Sequence, residues 1–176
     1  MSRFLALGLP REVVDVLAGR AEESRRSATA SARWVRPERY HVTVAFLRKD
    51  ASLDVAAETA QQLASEAPHL VLGGYGRFAT QRAAAVLWLA IHDPTAGLAR
   101  LTASAHAALT GELPAERPFA RSSVAHVTLA RSQDAVAFDA ILAAREPAPL
   151  GFRPTALLVV DTIGDQYRVA HEAPFA

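Results

Sequence analysis

The pentapeptide from His41 to Ala45 (His-Val-Thr-Val-Ala) returns almost unchanged from His126 to Ala130 (His-Val-Thr-Leu-Ala), 85 residues further along the chain. Six histidines and ten threonines in 176 residues would give about 0.3 His-x-Thr matches by chance. Side chains alternate between the two faces of a strand, so His and Thr share one face and the apolar residues, Phe46 included, take the other. The sequence therefore predicts two matching strands, each with an apolar face and a face that carries an imidazole and a hydroxyl.

The elements around the two motifs also come in the same order, strand, helix, loop, strand, helix, strand, with the second copy displaced by roughly 80 to 85 positions. Apolar periodicity, Pro and Gly predict strands at 4–9, 40–47, 70–78, 84–91, 125–130, 155–160 and 166–173, and helices after 10, over 53–67, after 94 and over 135–144. Each copy has too little apolar surface to fold alone. We therefore expect two similar lobes packed into one domain, 1–176, with the site in the groove between them.

The composition excludes several classes of protein. Hydrophobic residues make up 51% of the chain, which is enough for a core and excludes disorder. The formal net charge is only +1, so any polyanion site must be local. The absence of cysteine excludes disulfides, thiol nucleophiles and cysteine-ligated zinc. The apolar run at the N-terminus is too short for a signal peptide or a membrane span, so we expect a cytoplasmic protein that does not associate with membranes.

The motif residues have the properties that phosphodiester chemistry needs. Of two imidazoles that titrate near neutral pH, one can accept a proton while the other donates one. Two threonine hydroxyls can hydrogen-bond non-bridging phosphate oxygens. Two histidines alone are an incomplete ligand set for catalytic zinc, so we predict acid–base catalysis without a metal or another cofactor. For either motif alone, a histidine in the core or on the surface of a strand remains the alternative.

Other segments carry weaker signals. The Gly-Gly-Tyr-Gly run at 73–76 predicts a strand distortion or a turn, because no helix start or Lys-Ser pair follows it. The segment 22–38 is interpreted as a surface connection. Its arginines could contact an RNA backbone, with aromatic rings between them for stacking, or could be solvated: Arg33, Arg36 and Arg39, with Trp34 and Tyr40. The other histidines, His69, His92, His106 and His171, lack a repeated partner and are assigned to structure or surface.

Several segments accompany the motifs: Arg-Phe-Leu-Ala-Leu-Gly-Leu-Pro at 3–10, Trp-Val-Arg-Pro-Glu at 34–38, Gly-Arg-Phe at 76–78, Val-Leu-Trp-Leu at 86–89 and Arg-Pro-Phe at 117–119. Together with the motifs at 41–47 and 126–131, they resemble the two-histidine (2H) phosphoesterase superfamily. The resemblance is to its RNA 2′,3′-cyclic phosphodiesterase branch, also called RNA 2′-5′ ligase, and covers nearly the whole chain. It implies a bilobal α+β fold with pseudo-twofold symmetry, two antiparallel sheets facing a central cleft and helices on the outside.

The resemblance also implies an activity, the hydrolysis of a 2′,3′-cyclic phosphate to a 2′-phosphate. His41 would protonate the departing 3′ oxygen, and His126 would activate the attacking water. The family supplies this assignment of acid and base, because the two motifs are almost symmetric in sequence. Thr43 and Thr128 would hold the phosphate oxygens. Arg131 is also assigned to the phosphate, although its parity in an ideal strand is opposite to that of Thr128; a solvated arginine at the strand end is the alternative.

The expected substrates are RNA ends or nucleotides with a 2′,3′-cyclic phosphate, bound by a monomer. Ligation of a cyclic end to a 5′ hydroxyl through a 2′-5′ bond is a secondary activity, because it needs the same two groups. Two alternatives stay open: an RNA-binding module without chemistry, and a phosphodiesterase for another cyclic phosphate or a 2′-5′ oligonucleotide. The chain departs from the family pattern in a longer loop at 121–125. It also has Asp161-Thr162 where relatives have a serine, before a strand that contains Tyr167.

Overall fold

The structure is a computed structural model and describes residues 2–29, 31–79, 85–114, 124–134, 136–144, 146–164 and 166–176. These ranges contain nine strands and four α-helices. The strands are β1 (Ser2–Gly8), β2 (Arg33–Trp34), β3 (His41–Leu47), β4 (Leu70–Ala79), β5 (Ala85–His92), β6 (His126–Ser132), β7 (Leu150–Phe152), β8 (Ala156–Ile163) and β9 (Gln166–Pro174). The helices are α1 (Arg11–Arg25), α2 (Leu53–Leu63), α3 (Gly97–Ala108) and α4 (Asp139–Leu142). None of the described helices is long and apolar enough to cross a membrane.

The strands form two antiparallel sheets. Sheet I has the order β3-β1-β8-β9, and sheet II has the order β2-β6-β5-β4-β7. The two motif strands, β3 and β6, lie in different sheets and approach each other to within 8 Å between Cα atoms. The expected α+β fold with two antiparallel sheets is therefore confirmed.

Each sheet combines strands from both copies of the repeated element order. In sheet I, β8 from the second copy pairs with β1 from the first. In sheet II, β4 from the first copy pairs with β5 from the second, because the two strands are consecutive and form an antiparallel hairpin. The two lobes therefore do not correspond to the two halves of the sequence, which is a correction to the simplest interpretation of the repeat.

The core lies on the apolar faces of both sheets. A continuous buried cluster joins apolar side chains of sheet I, sheet II and the helices, among them Leu5, Val42, Leu87, Val127, Leu17 and Leu98. Burial of each large aliphatic side chain stabilises the fold by roughly 1.5–3 kcal/mol. Helices α2 and α3 pack against strands of sheet I, and α4 packs against β4. The helices occupy the apolar faces, so the opposite faces of β3 and β6 are left for a site.

Several element boundaries differ from the predictions. Helix α2 ends at Leu63, whereas the predicted helix ends at 67. Helix α4 spans Asp139–Leu142, whereas the predicted helix spans 135–144. Residue 135 lies outside the described residues. The predicted surface connection contains the end of α1 and the two-residue strand β2, which pairs with β6. Strand β4 has a register shift between Leu72 and Tyr75, so the predicted distortion at the glycine run is confirmed.

Candidate active site

The two motif histidines are held by the same backbone contact. His41 donates its Nδ1–H to the carbonyl oxygen of Arg39, and His126 donates its Nδ1–H to the carbonyl oxygen of Val124. The distance from nitrogen to oxygen is 2.7 Å in both bonds. Each carbonyl belongs to the residue two positions earlier, just before the strand begins. Because a carbonyl can only accept, this bond fixes the tautomer and leaves Nε2 of each ring to exchange a proton with a ligand.

Both motif strands carry a β-bulge at the same position of the motif. In β3, Thr43 lies opposite Ala6 but Ala45 lies opposite Leu5, so Val44 is an extra residue. In β6, Thr128 lies opposite Trp88 but Ala130 lies opposite Leu87, so Leu129 is the extra residue. An extra residue reverses the face of everything that follows it in the strand.

The bulges change where the fifth residue after each histidine lies. Phe46 is 42% exposed and its ring contacts Phe4, on the same face as His41. The prediction that Phe46 shares the apolar face of Val42 is therefore wrong. Arg131 lies opposite Val86 and is exposed, on the same face as His126 and Thr128. Ideal alternation would place Arg131 on the face opposite Thr128, and the bulge brings the two residues onto the same face.

Aromatic rings surround both imidazoles. Phe4 stacks on His41 with ring centroids 4.8 Å apart, and the Tyr167 ring lies 5.8 Å from His41. Around His126, Phe78 makes an edge contact at 5.0 Å, and Trp88 lies at 5.9 Å. The sequence reasoning placed these four aromatic residues in segments shared with the family or near the C-terminus but gave none of them a role. They come from four different strands, β1, β4, β5 and β9, so only the folded structure shows that they pack against the histidines.

Burial lowers the pKa of His41 below its ordinary value of 6.5, and the charges of His126 and Arg131 lower it further, against the opposing effect of the bond to Arg39. Burial also lowers the pKa of His126, and the charge of Arg131 adds to this effect. Arg131 is thus close enough to influence both rings, and His126 influences His41. The structure therefore brings together His41, His126 and Arg131, with Thr43 and Thr128 on the same two faces.

Tyr167 adds a neutral hydroxyl beside His41. Burial raises the pKa of its phenol to about 12, although the nearby positive charge of Arg39 acts in the opposite direction. The phenol therefore keeps its proton at any physiological pH. Thr162, in contrast, forms a hydrogen bond with Ser2 at the far end of sheet I. Its hydroxyl donates to the Ser2 carbonyl oxygen, at a distance of 3.2 Å between the two oxygens.

Of the two aromatic residues considered for base stacking, one is buried and the other is partly buried. Tyr40 is buried, with 6% of its surface exposed. Trp34 packs against the core cluster, and the guanidinium of Arg25 lies 5.5 Å from its ring centroid. In the described part of the chain, the four other histidines take no part in the ring contacts and charge interactions of His41 and His126. The predicted long loop at 121–125 and the segment 117–119 lie largely outside the described residues, which resume at Val124.

Within the same described ranges, no group of three or more His, Asp or Glu side chains could hold a metal ion. A groove of about 250 Å³ is lined by residues of β1, β8 and β9 and by the turn that precedes β3. Tyr167, whose ring lies 5.8 Å from that of His41, is one of the lining residues. The groove therefore shares Tyr167 with the surroundings of His41.

Comparison with known proteins identifies the family. The model of the 2′-5′ RNA ligase superfamily matches residues 13–166. The chain belongs to this superfamily. This membership confirms the resemblance to 2H phosphoesterases, a superfamily of phosphoesterases and ligases. No curated protein sequence matches the chain.

Solved structures with the same fold include TT0787 of Thermus thermophilus, with 24% identity, a TM-score of 0.74, and coverage of 99% of this chain and 98% of that one. Escherichia coli LigT in complex with 3′-AMP has 20% identity and a TM-score of 0.62, and the match covers 99% of this chain and 94% of LigT. Usb1 of Kluyveromyces marxianus has 14% identity and a TM-score of 0.56, and the match covers 99% of this chain and 98% of Usb1. These likenesses span the full chain and support the fold.

Proposed function

We propose that this superfamily member hydrolyses the 2′,3′-cyclic phosphate of RNA ends or nucleotides to a 2′-phosphate by acid–base catalysis with His41 and His126. The observation that carries the proposal is the matched anchoring of the two rings. Each donates Nδ1–H to a backbone carbonyl and keeps Nε2 for the ligand, and the rings come from two different sheets. Such an arrangement suits an in-line displacement, in which the attacking and leaving oxygens lie on opposite sides of phosphorus.

In the proposed reaction, His126 Nε2 takes a proton from water as the water oxygen attacks phosphorus. The bond between phosphorus and the 3′ oxygen breaks, and that oxygen takes a proton from His41 Nε2. The products are a 2′-phosphate and a 3′ hydroxyl, and exchange with solvent returns the two rings to their starting states. Thr43, Thr128 and Arg131 hold the non-bridging oxygens as negative charge builds on them.

The electrostatics of the site connect substrate binding to the protonation of the acid. The pKa values of both histidines are lowered, so both rings are neutral near pH 7 in the free protein. An anionic phosphate between them favours the charged form of an imidazole and raises its pKa. The substrate therefore promotes protonation of one ring, which the family pattern assigns to His41 as the acid. The positive charge of that ring disfavours a second proton on His126, the base.

Two facts about the relatives support this substrate class. The superfamily takes its name from 2′-5′ RNA ligation, a reaction in which a 5′ hydroxyl takes the place of water in opening the cyclic phosphate. LigT has been crystallised with 3′-AMP, a nucleotide with a phosphate on its ribose. The same two histidines serve ligation when a 5′ hydroxyl replaces water. His126 takes the proton of that hydroxyl as its oxygen bonds to phosphorus, and the 3′ oxygen leaves with a proton from His41.

The test is hydrolysis of 2′,3′-cyclic nucleotides and of an oligonucleotide with a cyclic phosphate end, in EDTA, followed by identification of the hydroxyl that keeps the phosphate. We expect a 2′-phosphate. His41→Ala and His126→Ala should each lower kcat by about 10²- to 10⁴-fold. His69→Ala, a histidine outside the cluster, is the matched control and should keep the activity. Turnover that survives in either motif variant, or that requires a metal ion, contradicts the mechanism.

If no substrate is turned over but RNA binds in the cleft, the protein is the binding module considered above. A preference for another cyclic phosphate or for a 2′-5′ oligonucleotide would keep the mechanism and replace the substrate. Circular dichroism of each variant separates loss of catalysis from loss of fold.

A further inference from the structure

Two exposed arginines lie side by side on sheet II. Arg33 in β2 lies directly opposite Arg131 in β6. Directly opposed residues of an antiparallel pair point to the same face, with Cβ atoms about 5 Å apart. Arg131 lies on the face that carries His126 and Thr128, so Arg33 extends this face by one strand. Because β2 is the edge strand of sheet II, Arg33 marks the outer end of the row.

This arrangement places two like charges opposite each other, which destabilises a sheet unless an anion lies between them or beside them. In the described part of the chain, neither arginine forms an ion pair with a carboxylate; the ion pairs there involve other arginines. The chain as a whole carries a formal net charge of only +1. The Arg33–Arg131 pair is therefore a local concentration of positive charge beside the histidines.

We propose that Arg33 binds the phosphate that precedes the cyclic one in an RNA chain, while Arg131 binds the reacting phosphate. Neighbouring strands lie about 4.8 Å apart. The long side chains of two arginines on such strands can spread to reach two successive phosphates. A guanidinium group binds a phosphate with two parallel hydrogen bonds. The RNA then leaves the histidines across β6 and β2. This inference rests on the proposed function and makes it more specific: the preferred substrate is an RNA end of at least two nucleotides.

The test compares a 2′,3′-cyclic mononucleotide with a dinucleotide that ends in the same cyclic nucleotide. Arg33→Gln should lower kcat/KM for the dinucleotide about fivefold to tenfold and leave the mononucleotide unchanged, because only the dinucleotide has the second phosphate. The slope of log(kcat/KM) against log(salt) for the dinucleotide should become shallower, because the variant neutralises one phosphate fewer. Arg100→Gln, which removes the same charge from the surface of α3, is the control and should alter neither substrate.

An equal effect of Arg33→Gln on both substrates, or no effect on either, overturns the inference while hydrolysis itself stands. If the protein hydrolyses neither substrate, the proposed function fails, and binding still decides the inference. Fluorescence anisotropy with a 2′-phosphate-ended dinucleotide and competition with the 2′-mononucleotide then give the two affinities. Selective weakening of the dinucleotide by Arg33→Gln supports the second phosphate site, and equal affinities in both proteins refute it.

Discussion

Gly76→Ala tests whether the packing of Trp88 positions His126. Gly76 in β4 lies directly opposite Trp88 in β5, and the indole ring occupies the space that a side chain at position 76 would need. A Cβ atom at Gly76 would lie 2.0 Å from Cη2 of Trp88 and 2.3 Å from its Cζ2 and Cζ3 atoms. Non-bonded carbon atoms pack at about 3.5–4.0 Å, so the indole would have to move by roughly 1.5 Å.

The displacement has two measurable consequences. Trp88 contacts Phe78 and His126, with ring centroids 5.0 and 5.9 Å away, so its movement disturbs the ring that is proposed to act as the base. Overpacking of this kind costs about 1–3 kcal/mol of unfolding free energy. A catalytic group displaced by about 1 Å loses roughly 10²-fold in rate. We therefore expect Gly76→Ala to lower both the unfolding free energy and kcat/KM by these amounts.

The assay is urea denaturation together with hydrolysis of a 2′,3′-cyclic nucleotide. Gly19→Ala is the matched control, because a Cβ at Gly19, an exposed position of α1, would meet no atom within 4 Å beyond its chain neighbours and the backbone of its own helix. That control should gain about 0.5–1 kcal/mol of stability and keep its activity. If Gly76→Ala loses stability but keeps the wild-type kcat/KM, Trp88 does not position the histidine.

The remaining predictions concern the groups around the histidines. Arg131→Gln should raise the pKa of both His41 and the second motif histidine, as measured by NMR titration, because its charge lowers both pKa values; unchanged titrations would contradict the placement of Arg131. In the wild type, the base must be neutral and the acid protonated, and both pKa values lie below 6.5. The optimum of kcat/KM should thus lie on the acid side of pH 6.5, and an alkaline optimum would count against this scheme. Tyr167→Phe should keep kcat within about threefold, because the phenol does not ionise, whereas Tyr167→Ala should raise the pKa of His41 by exposing its ring to water. Thr43→Val and Thr128→Val should each lower kcat by about 10²-fold with little change in melting temperature; wild-type kcat in both would remove the threonines from the mechanism.

The strands that carry the site could be predicted from the sequence because the first four residues of each, from His41 and from His126, alternate between polar and apolar. The predicted strand at 40–47 and the observed β3 differ by one residue, and the histidines lie at the starts of β3 and β6. The two-residue strand β2 was too short for any periodicity to indicate it. Its pairing with β6 depends on a partner almost 100 residues away.

The bulges are the part of the site that sequence periodicity could not predict. A bulge is a property of two paired strands, and it becomes visible only when the partner's register is known. Without it, alternation predicts that Phe46 is buried and that Arg131 points away from the phosphate. The burial patterns of β3 and β6 are identical, with the change of face at the fourth residue of each motif. The repeat of the motif is therefore also a repeat of the bulge.

The exchange of β4 and β8 between the sheets was not predictable for a similar reason. The repeated element order indicates that two equivalent units exist, but it does not say which unit completes which sheet. A short connection between β4 and β5 makes a hairpin favourable, and the position beside β1 is then filled by β8. The consequence for function is that both sheets, and so both histidines, depend on both halves of the chain.

The most direct measurement is a crystal structure of the protein with a nucleoside 2′-phosphate, the proposed product. The account predicts one phosphate group that accepts hydrogen bonds from Nε2 of both imidazoles, which approach phosphorus from opposite sides, one from each sheet. A phosphate that reaches only one of the two rings, or that binds outside the cleft, would contradict it.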